Sequence, residues 1–341
     1  LDPKLFEVGK LPMEFLQDLL GRYGGRDERL VIGPRVGEDA AVLDFGERYL
    51  VVKSDPITFA TGQIGWYVVH VNANDLATMG AVPRWLLLTL LLPERHTGPA
   101  LVEEILSQVS QACKELGIVL CGGHTEVTYG LERPIAVGLL LGEVEKPDLV
   151  STSGGEVGDE LILTKGIAIE GTLVLAQEKR DQLEARVGAD LVDRALDFLH
   201  DPGISVVQDA QIVCSVGHPH AMHDPTEGGV ATGLWEMAHA SGRGIVVDAA
   251  QIPVLEETQA FCQALDLDPL GVMASGALLV AAAPEESAAM VDALNAAGIG
   301  ARIIGRVVDG PPEAQLRTPE GPVPLPRYDR DELGRLFETR A

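Results

Sequence analysis

The feature that most narrows the possible folds is an alternation of strand-like and helix-like segments that runs twice through the chain, on either side of one break. In the first series MEFLQDLLGRYG reads as a short helix stopped by glycine. RYLVVKSD (48–55) is a strand ending on an acid, and IGWYVVHVNANDLATMG (64–80) follows with helical spacing. RWLLLTLLLP is a strand and ALVEEILSQVSQACKELG an amphipathic helix. IVLCGGHT is a strand running into a glycine turn, and PIAVGLLLGEV is another strand. At KPDLVSTSGGEVGD (146–159) the composition shifts to Gly, Ser and Pro, which marks a domain boundary. A second series then begins. DELILTKG is a strand, GTLVLAQEKRDQLEARVG one helix, and 205–216 a further helical stretch. MHDPTEGGVATGLWEMAHASG is a strand end leading into a helix, and ALLVAAAP, EESAAMVDALNAAG and ARIIGRVVDG read as strand, helix, strand. A proline-rich tail carries a last short helix. The pattern predicts an α/β protein of two domains, 1–148 and 149–341, with 46% hydrophobic residues to supply a core to each.

Charge and cysteine content then exclude several functions. The 341 residues hold 26 basic and 51 acidic side chains, a formal charge of −25. That disfavours nucleic acid and anionic membrane, both of which select a basic face. The four cysteines, Cys113, Cys121, Cys214 and Cys262, form no CxxC pair, so a zinc ribbon or thioredoxin-like site is not expected. No apolar run reaches the roughly 20 residues of a membrane span, and the first residues lack a signal-peptide core. These features point to a cytoplasmic protein with free thiols.

Three acid-bearing motifs stand out in the first half. In VGEDAAVL (36–43) Gly37 and Asp39 suit a tight turn feeding a strand, and alone the motif reads as a turn with solvated acids rather than a site. In KSDP, Asp55 sits at the end of an apolar strand. In VNANDLATMGA, Asn72 and Asp75 are three apart and share a helix face, and buried polar groups there need partners. Asp39, Asp55 and Asp75 together offer hard oxygen ligands of the kind Mg²⁺ takes alongside phosphate. CGGHTEV adds Gly122 and Gly123, whose amides can approach a phosphate. His124 after them reads as a metal ligand, a phosphate contact, a proton-transfer group or a plain loop residue. An ATP–Mg²⁺ site is the coherent inference, although no Walker A sequence and no GxGxxG motif occur. In the second half, HDPTEGGVATGLWE (223–236) places Asp224 and Thr226 as possible caps, with Gly228 and Gly229 in the first turn. That is either an anion site or a closely packed capped helix. Lys165 in LTKGIAIEGT reads as a phosphate-neutralising group or an ordinary surface lysine. The remaining histidines show no metal spacing.

Taken in order, VGEDAAVL, KSDP, VNANDLATMGAVPR, CGGHTEV and HDPTEGGV resemble the aminoimidazole ribonucleotide (AIR) synthetase superfamily over about residues 37–327. Its members include thiamine-monophosphate kinases, selenophosphate synthetases and the hydrogenase-maturation protein HypE. The resemblance implies a two-domain AIR synthetase-like fold. The N-terminal domains pair their strands into a barrel in a homodimer, and the C-terminal domain is an α/β sandwich. It implies ATP and Mg²⁺ as cofactors, with phosphoryl transfer to a small-molecule substrate. Carried over by position, Asp39, Asp55 and Asp75 are metal and phosphate ligands, and Asn74 belongs to the family's Asn-Asp pair. Gly37, Gly122, Gly123, Thr125, Gly228 and Gly229 line the cofactor, and His124, Asp224 and Lys165 are catalytic candidates.

DPTEGGV and LDLDPLGVMASGALLV are most similar to HypE, in which a C-terminal cysteine carries a carbamoyl group that ATP helps dehydrate to a thiocyanate. Two departures qualify that resemblance. His124 stands where many relatives carry an acid. The stretch VPLPRYDRDELGRLFETRA holds no cysteine. The expected function is therefore an ATP- and Mg²⁺-dependent, HypE-like enzyme activating a small carbonyl, amide or phosphate substrate. The alternatives are a thiamine-monophosphate kinase-like enzyme and a nucleotide-binding metallocentre assembly factor that acts with a maturation partner protein.

Overall fold

The computed structural model describes residues 6, 11, 13–35, 38–58, 62–328 and 330–337. Val36 and Gly37 lie outside the described residues. The chain first forms α1 (Met13–Tyr23), β1 (Leu30–Ile32), β2 (Ala41–Asp44), β3 (Arg48–Ile57), α2 (Ile64–Thr78), β4 (Val82–Pro93), α3 (Pro99–Leu116), β5 (Val119–Thr128) and β6 (Ile135–Glu145). It continues with β7 (Glu160–Thr164), α4 (Ile169–Glu178), α5 (Arg180–Val187), α6 (Ala189–Leu196), α7 (Val207–Val216), β8 (Ala221–His223), α8 (Gly229–Ser241), β9 (Gly244–Asp248) and α9 (Glu256–Leu265). The last elements are β10 (Leu279–Ala282), α10 (Pro284–Ala296), β11 (Ala301–Val308), β12 (Ala314–Thr318), β13 (Gly321–Pro324) and α11 (Glu332–Phe337).

Strands β1 to β6 make one sheet in the order β1-β2-β3-β6-β4-β5, and β7 to β13 a second in the order β13-β12-β9-β11-β7-β10-β8. Only β4–β5 and β12–β9 are parallel pairs. The helix predicted as one over 171–188 is two, α4 and α5, divided at Lys179.

Helix α2 joins the two units. Fourteen of its fifteen residues are buried, which is the signature of a helix packed on every side. One flank lies on β3, β4 and β6, and another meets α7 and β8 of the second unit. A single apolar core therefore runs from Val68, Leu76 and Leu140 through to Val207, Met222 and Leu278. The approach to β6 depends on Gly138: a Cβ there would lie 2.5 Å from Asn72 Nδ2. Asn72 uses that space to bridge helix and sheet. It accepts from the Asp55 amide at 2.8 Å and donates to the Asp55 carbonyl at 3.3 Å and the Val68 carbonyl at 2.8 Å.

The CGG stretch corrects the sequence reading. It is no turn: β5 continues straight through it. Leu120 pairs with Leu86 but Gly122 with Leu87, so Cys121 is the extra residue of a bulge. Gly123 has φ +142°, and a Cβ on it would sit 1.9 Å from the Leu88 carbonyl oxygen. Its lack of a side chain serves the close pairing of β5 to β4. The strand is an edge, exposed along nearly its whole length, with Val119, Leu120 and Val127 open to solvent.

Replacing Gly123 with Ala is expected to cost about 2–4 kcal/mol in a urea unfolding experiment, from strained backbone plus collision. Gly122→Ala, whose Cβ meets nothing nearer than 4.0 Å, is expected to cost under about 1 kcal/mol. Equal effects would contradict the bulge-packing role.

Candidate functional site

Two residues of β3 point the same way because side chains alternate along a strand. Lys53 and Asp55 both face α2, and the Lys53 ammonium lies 3.4 Å from Asp55 Oδ2 and 3.3 Å from Asp75 Oδ2. Asp39, just before β2, bonds across the domain junction to His223 at the end of β8: His223 Nδ1 is 3.0 Å from Asp39 Oδ1. The other ring nitrogen, Nε2, lies 2.9 Å from Glu236 Oε2 on α8. Asp224 follows His223 and is buried. Ligand atoms of Asp39, His223 and Asp224 lie within 4.8 Å of one another. The result is a cluster of Asp39, Asp75 and Asp224 with Lys53 and His223 among them and Asp55 at its more open edge.

The electrostatics follow from burying several acids together. Burial pushes the Asp75 carboxyl up to about 8; Asp55 and Asp39 add to the rise, and Lys53 opposes it. Burial likewise holds Asp224 well above the usual carboxylate range, with Asp75 and Asp39 adding to it. Asp39 behaves oppositely: burial disfavours its charge, but His223 and Lys53 outweigh that and hold it below its ordinary value. Burial also works against a charged His223, yet Asp39 and Glu236 raise it well above an ordinary histidine. Lys53 is raised too, its acids outweighing burial. The cluster thus favours the charged forms of Asp39 and His223 and disfavours the charged forms of Asp75 and Asp224.

Asp224 Oδ1 is buried with no hydrogen-bond partner, and Asp75 Oδ2 meets only the Lys53 ammonium, at 3.3 Å. Buried carboxylate oxygens without donors are costly unless a cation takes them. Oxygens of Asp39, Asp75 and Asp224 form a hard donor set that fits Mg²⁺. His223 does not belong to that set, because both its nitrogens are engaged by carboxylates.

Other predicted residues lie elsewhere. Asn74 sits beside Asp75 in sequence but faces the second unit, where it donates to the Ile204 carbonyl and accepts from the Val206 amide, both at 2.8 Å. Its amide group is spent on holding the units together. Gly228 caps α8 in a left-handed conformation, and its amide donates to Asp331 Oδ2 at 2.8 Å. The Gly229 amide bonds the Thr226 carbonyl, and a Cβ on Gly229 would meet the Leu270 carbonyl oxygen at 2.3 Å. The two glycines thus make the closely packed capped turn, with both amides already used, and neither Asp224 nor Thr226 caps the helix by its side chain. Gly122, Gly123, His124 and Thr125 lie on β5, three strand spacings from β3, roughly 14 Å within one subunit. His124 is exposed there and pairs with Glu126 at 3.1 Å. Lys165 is no surface lysine: its side chain is buried against Asp209, at 3.2 Å, and it lines a separate cavity that none of the four aspartates borders. The residues that sequence reasoning passed over are Lys53, His223 and Glu236. Lys53 and His223 each adjoin a motif already singled out, KSDP and HDPT, which was the available signal.

Comparison with known proteins agrees with the architecture. Residues 37–144 match the model for the N-terminal domain of AIR synthase related proteins, and residues 156–316 the model for their C-terminal domain. The carbamoyl dehydratase HypE of Rhizobium leguminosarum bv. viciae is 33% identical over 288 residues, spanning 80% of this chain and 78% of that protein. A HypE–HypF complex has a TM-score of 0.76 at 22% identity, covering 92% of this chain and 99% of the HypE-like one. A HypE in complex with ATP has a TM-score of 0.72 at 23% identity, covering 91% and 90%.

The Asp75 shift fixes the sign of a stability effect. Its folded value of about 8 lies above the ordinary 3.8, so folding favours the protonated form. The stabilisation is complete below pH about 4 and is lost as pH rises towards 8. Asp75→Asn is therefore expected to unfold at higher urea than the parent at pH 8.5 in EDTA, by more than about 2 kcal/mol, with the gap closing at pH 4. A variant less stable at pH 8.5 would show that Asp75 is ionised and fully paired in the metal-free protein.

Proposed function

The chain belongs to the AIR synthase-related family, and on that premise we propose that it is an ATP- and Mg²⁺-dependent enzyme of the HypE-like group. The observation that carries this reading is the pair of under-coordinated buried carboxylate oxygens: Asp224 Oδ1 has no hydrogen-bond partner, and Asp75 Oδ2 has only the Lys53 ammonium at 3.3 Å. They stand in a cluster that a divalent cation and phosphate would complete. Mg²⁺, when bound by Asp39, Asp75 and Asp224, supplies charge neutralisation for triphosphate oxygens. Asp55 adds an oxygen at the open edge. Lys53 holds Asp55 and Asp75 at a common point, and its ammonium is placed to meet phosphate charge. His223, clamped between Asp39 and Glu236, fixes the Asp39 carboxylate. Placement of this kind accounts for most of the catalysis in phosphoryl transfer.

The relatives direct the choice of acceptor. The name carbamoyl dehydratase favours an amide or carbamoyl oxygen, activated by phosphoryl transfer so that it leaves. No cysteine occurs in residues 325–341, so these residues supply no thiol. The HypE–HypF complex supports docking with a maturation partner. The exposed edge β5, with Val119, Leu120, Val127 and neighbouring Trp85 open, supports a homodimer that pairs these edges and brings His124 and Thr125 to the shared face. No described helix is long and apolar enough to cross a membrane.

Calorimetric titration of ATP with and without Mg²⁺ tests the site. Saturable binding that requires Mg²⁺ and weakens at least about tenfold in Asp75→Asn and in Asp224→Asn is expected. Unchanged affinity in both variants would remove the site assignment. ADP release is then measured with carbamoyl phosphate, simple carboxamides and thiamine monophosphate. Stimulation by the last alone would favour the kinase reading over dehydration.

A further inference from the structure

On another face of α2 from the acids, Trp66 and His70 stand one helical turn apart and border a cavity of 510 Å³ between the two units. Its other polar lining comes from Lys165, His200, Gln208 and Asp209. That volume lies within the range of small-molecule sites, and four features show that the cavity is built for a ligand. The Trp66 indole nitrogen and both His70 ring nitrogens are buried without a hydrogen-bond partner. Native proteins rarely leave so many polar atoms unmet in one place unless something else meets them. Three rings line one wall: Trp66 lies 4.4 Å from His70 and 4.7 Å from His200 between centroids. Lys165 takes a left-handed backbone (φ 56°), a conformation that costs energy for a residue with a side chain. Its ammonium is held by the Ser205 carbonyl at 2.6 Å and Asp209 at 3.2 Å.

The lining selects against charge. Lys165 and Asp209 cancel, and Glu115 at the rim is acidic, so a phosphate or carboxylate gains nothing by entering. Burial, with Lys165 and His200 nearby, pushes His70 down to about 4, so its ring is neutral at physiological pH. A neutral imidazole presents one donor and one acceptor. The indole adds a second donor. The complement is a molecule with donor and acceptor side by side in one plane, as in a lactam or carboxamide, and with a flat face for the aromatic wall.

We propose that this cavity is a second small-molecule site, separate from the acid cluster, which takes a neutral, flat, amide-bearing heterocycle of the nucleobase type. The site does not depend on the reading of the acid cluster, since the two share no side chain.

The test is titration of the full chain with hypoxanthine, uracil and nicotinamide, followed by calorimetry and by tryptophan fluorescence. At least one probe is expected to saturate with a dissociation constant below about 1 mM. His200→Ala and Gln208→Ala, both at exposed positions and so safe for folding, are expected to weaken that binding about tenfold or more. His70→Leu is expected to abolish it, and Asp75→Asn to leave it within about twofold. Saturation by none of the three probes overturns the proposal and makes the cavity a water pocket serving Trp66 and His70. So does binding that both rim variants leave unchanged, or binding that Asp75→Asn destroys, which would place the probe at the acid cluster.

Discussion

Everything functional in this molecule depends on burying α2 with its polar side chains inside. A helix enclosed on all sides is ordinarily apolar, because an unpaired polar group there costs several kcal/mol. Helix α2 instead carries His70, Asn72, Asn74, Asp75 and Thr78, all buried. Each direction around the helix has its own use. Asn72 bonds the backbone of β3 at Asp55, Asn74 bonds the backbone of 204–206, and the Thr78 hydroxyl bonds the Asp75 carbonyl. These three bonds fix the rotation of the helix, and they hold Asp75 beside Lys53 and leave the His70 ring nitrogens without a hydrogen-bond partner.

The acid cluster shows why two units are needed to build one site. Asp39, Asp55, Asp75 and Lys53 come from the first sheet and its helix, while His223, Asp224 and Glu236 come from the second unit. The contact between Asp39 and His223 spans 184 residues of sequence. Buried acids at this spacing repel one another, and the fold answers with one lysine and one imidazolium for four aspartates. Burial, together with that shortfall in positive charge, raises Asp75 and Asp224 above the ordinary carboxylate range, and a divalent cation is the natural complement. Removing Lys53 or His223 would leave buried acids uncompensated, so neither is a spectator to stability.

Much of this was legible in the chain. The double alternation of strands and helices gave most of the element order, and the helical spacing of 64–80 put Asn72 and Asp75 on one face, which the structure turns toward β3. The acids of KSDP, NAND and HDPT pointed to the cluster because carboxylates at strand and helix ends are fixed in place. What misled was glycine. CGG reads as a phosphate-binding turn, but Gly123 is there to let an edge strand approach Leu88. The two glycines of TEGG hold a packed turn whose amides are taken by Asp331 and Thr226. A glycine pair signals close backbone approach without saying to what.

The sequence by itself determined the central strands and helices of each unit, though not β1, α6, β9, α9, β12 or β13, and the residues carrying hard oxygen ligands, because these follow from local spacing and side-chain chemistry. Only the tertiary structure decided which of those residues meet. It separated Asn74 from its neighbour Asp75, since adjacent residues on a helix project about 100° apart. It buried Lys165 against Asp209 and away from the aspartates, and it set His223 between Asp39 and Glu236. Those outcomes depend on how two sheets close around one helix, and contacts between residues far apart in the chain leave no periodic trace in a single sequence.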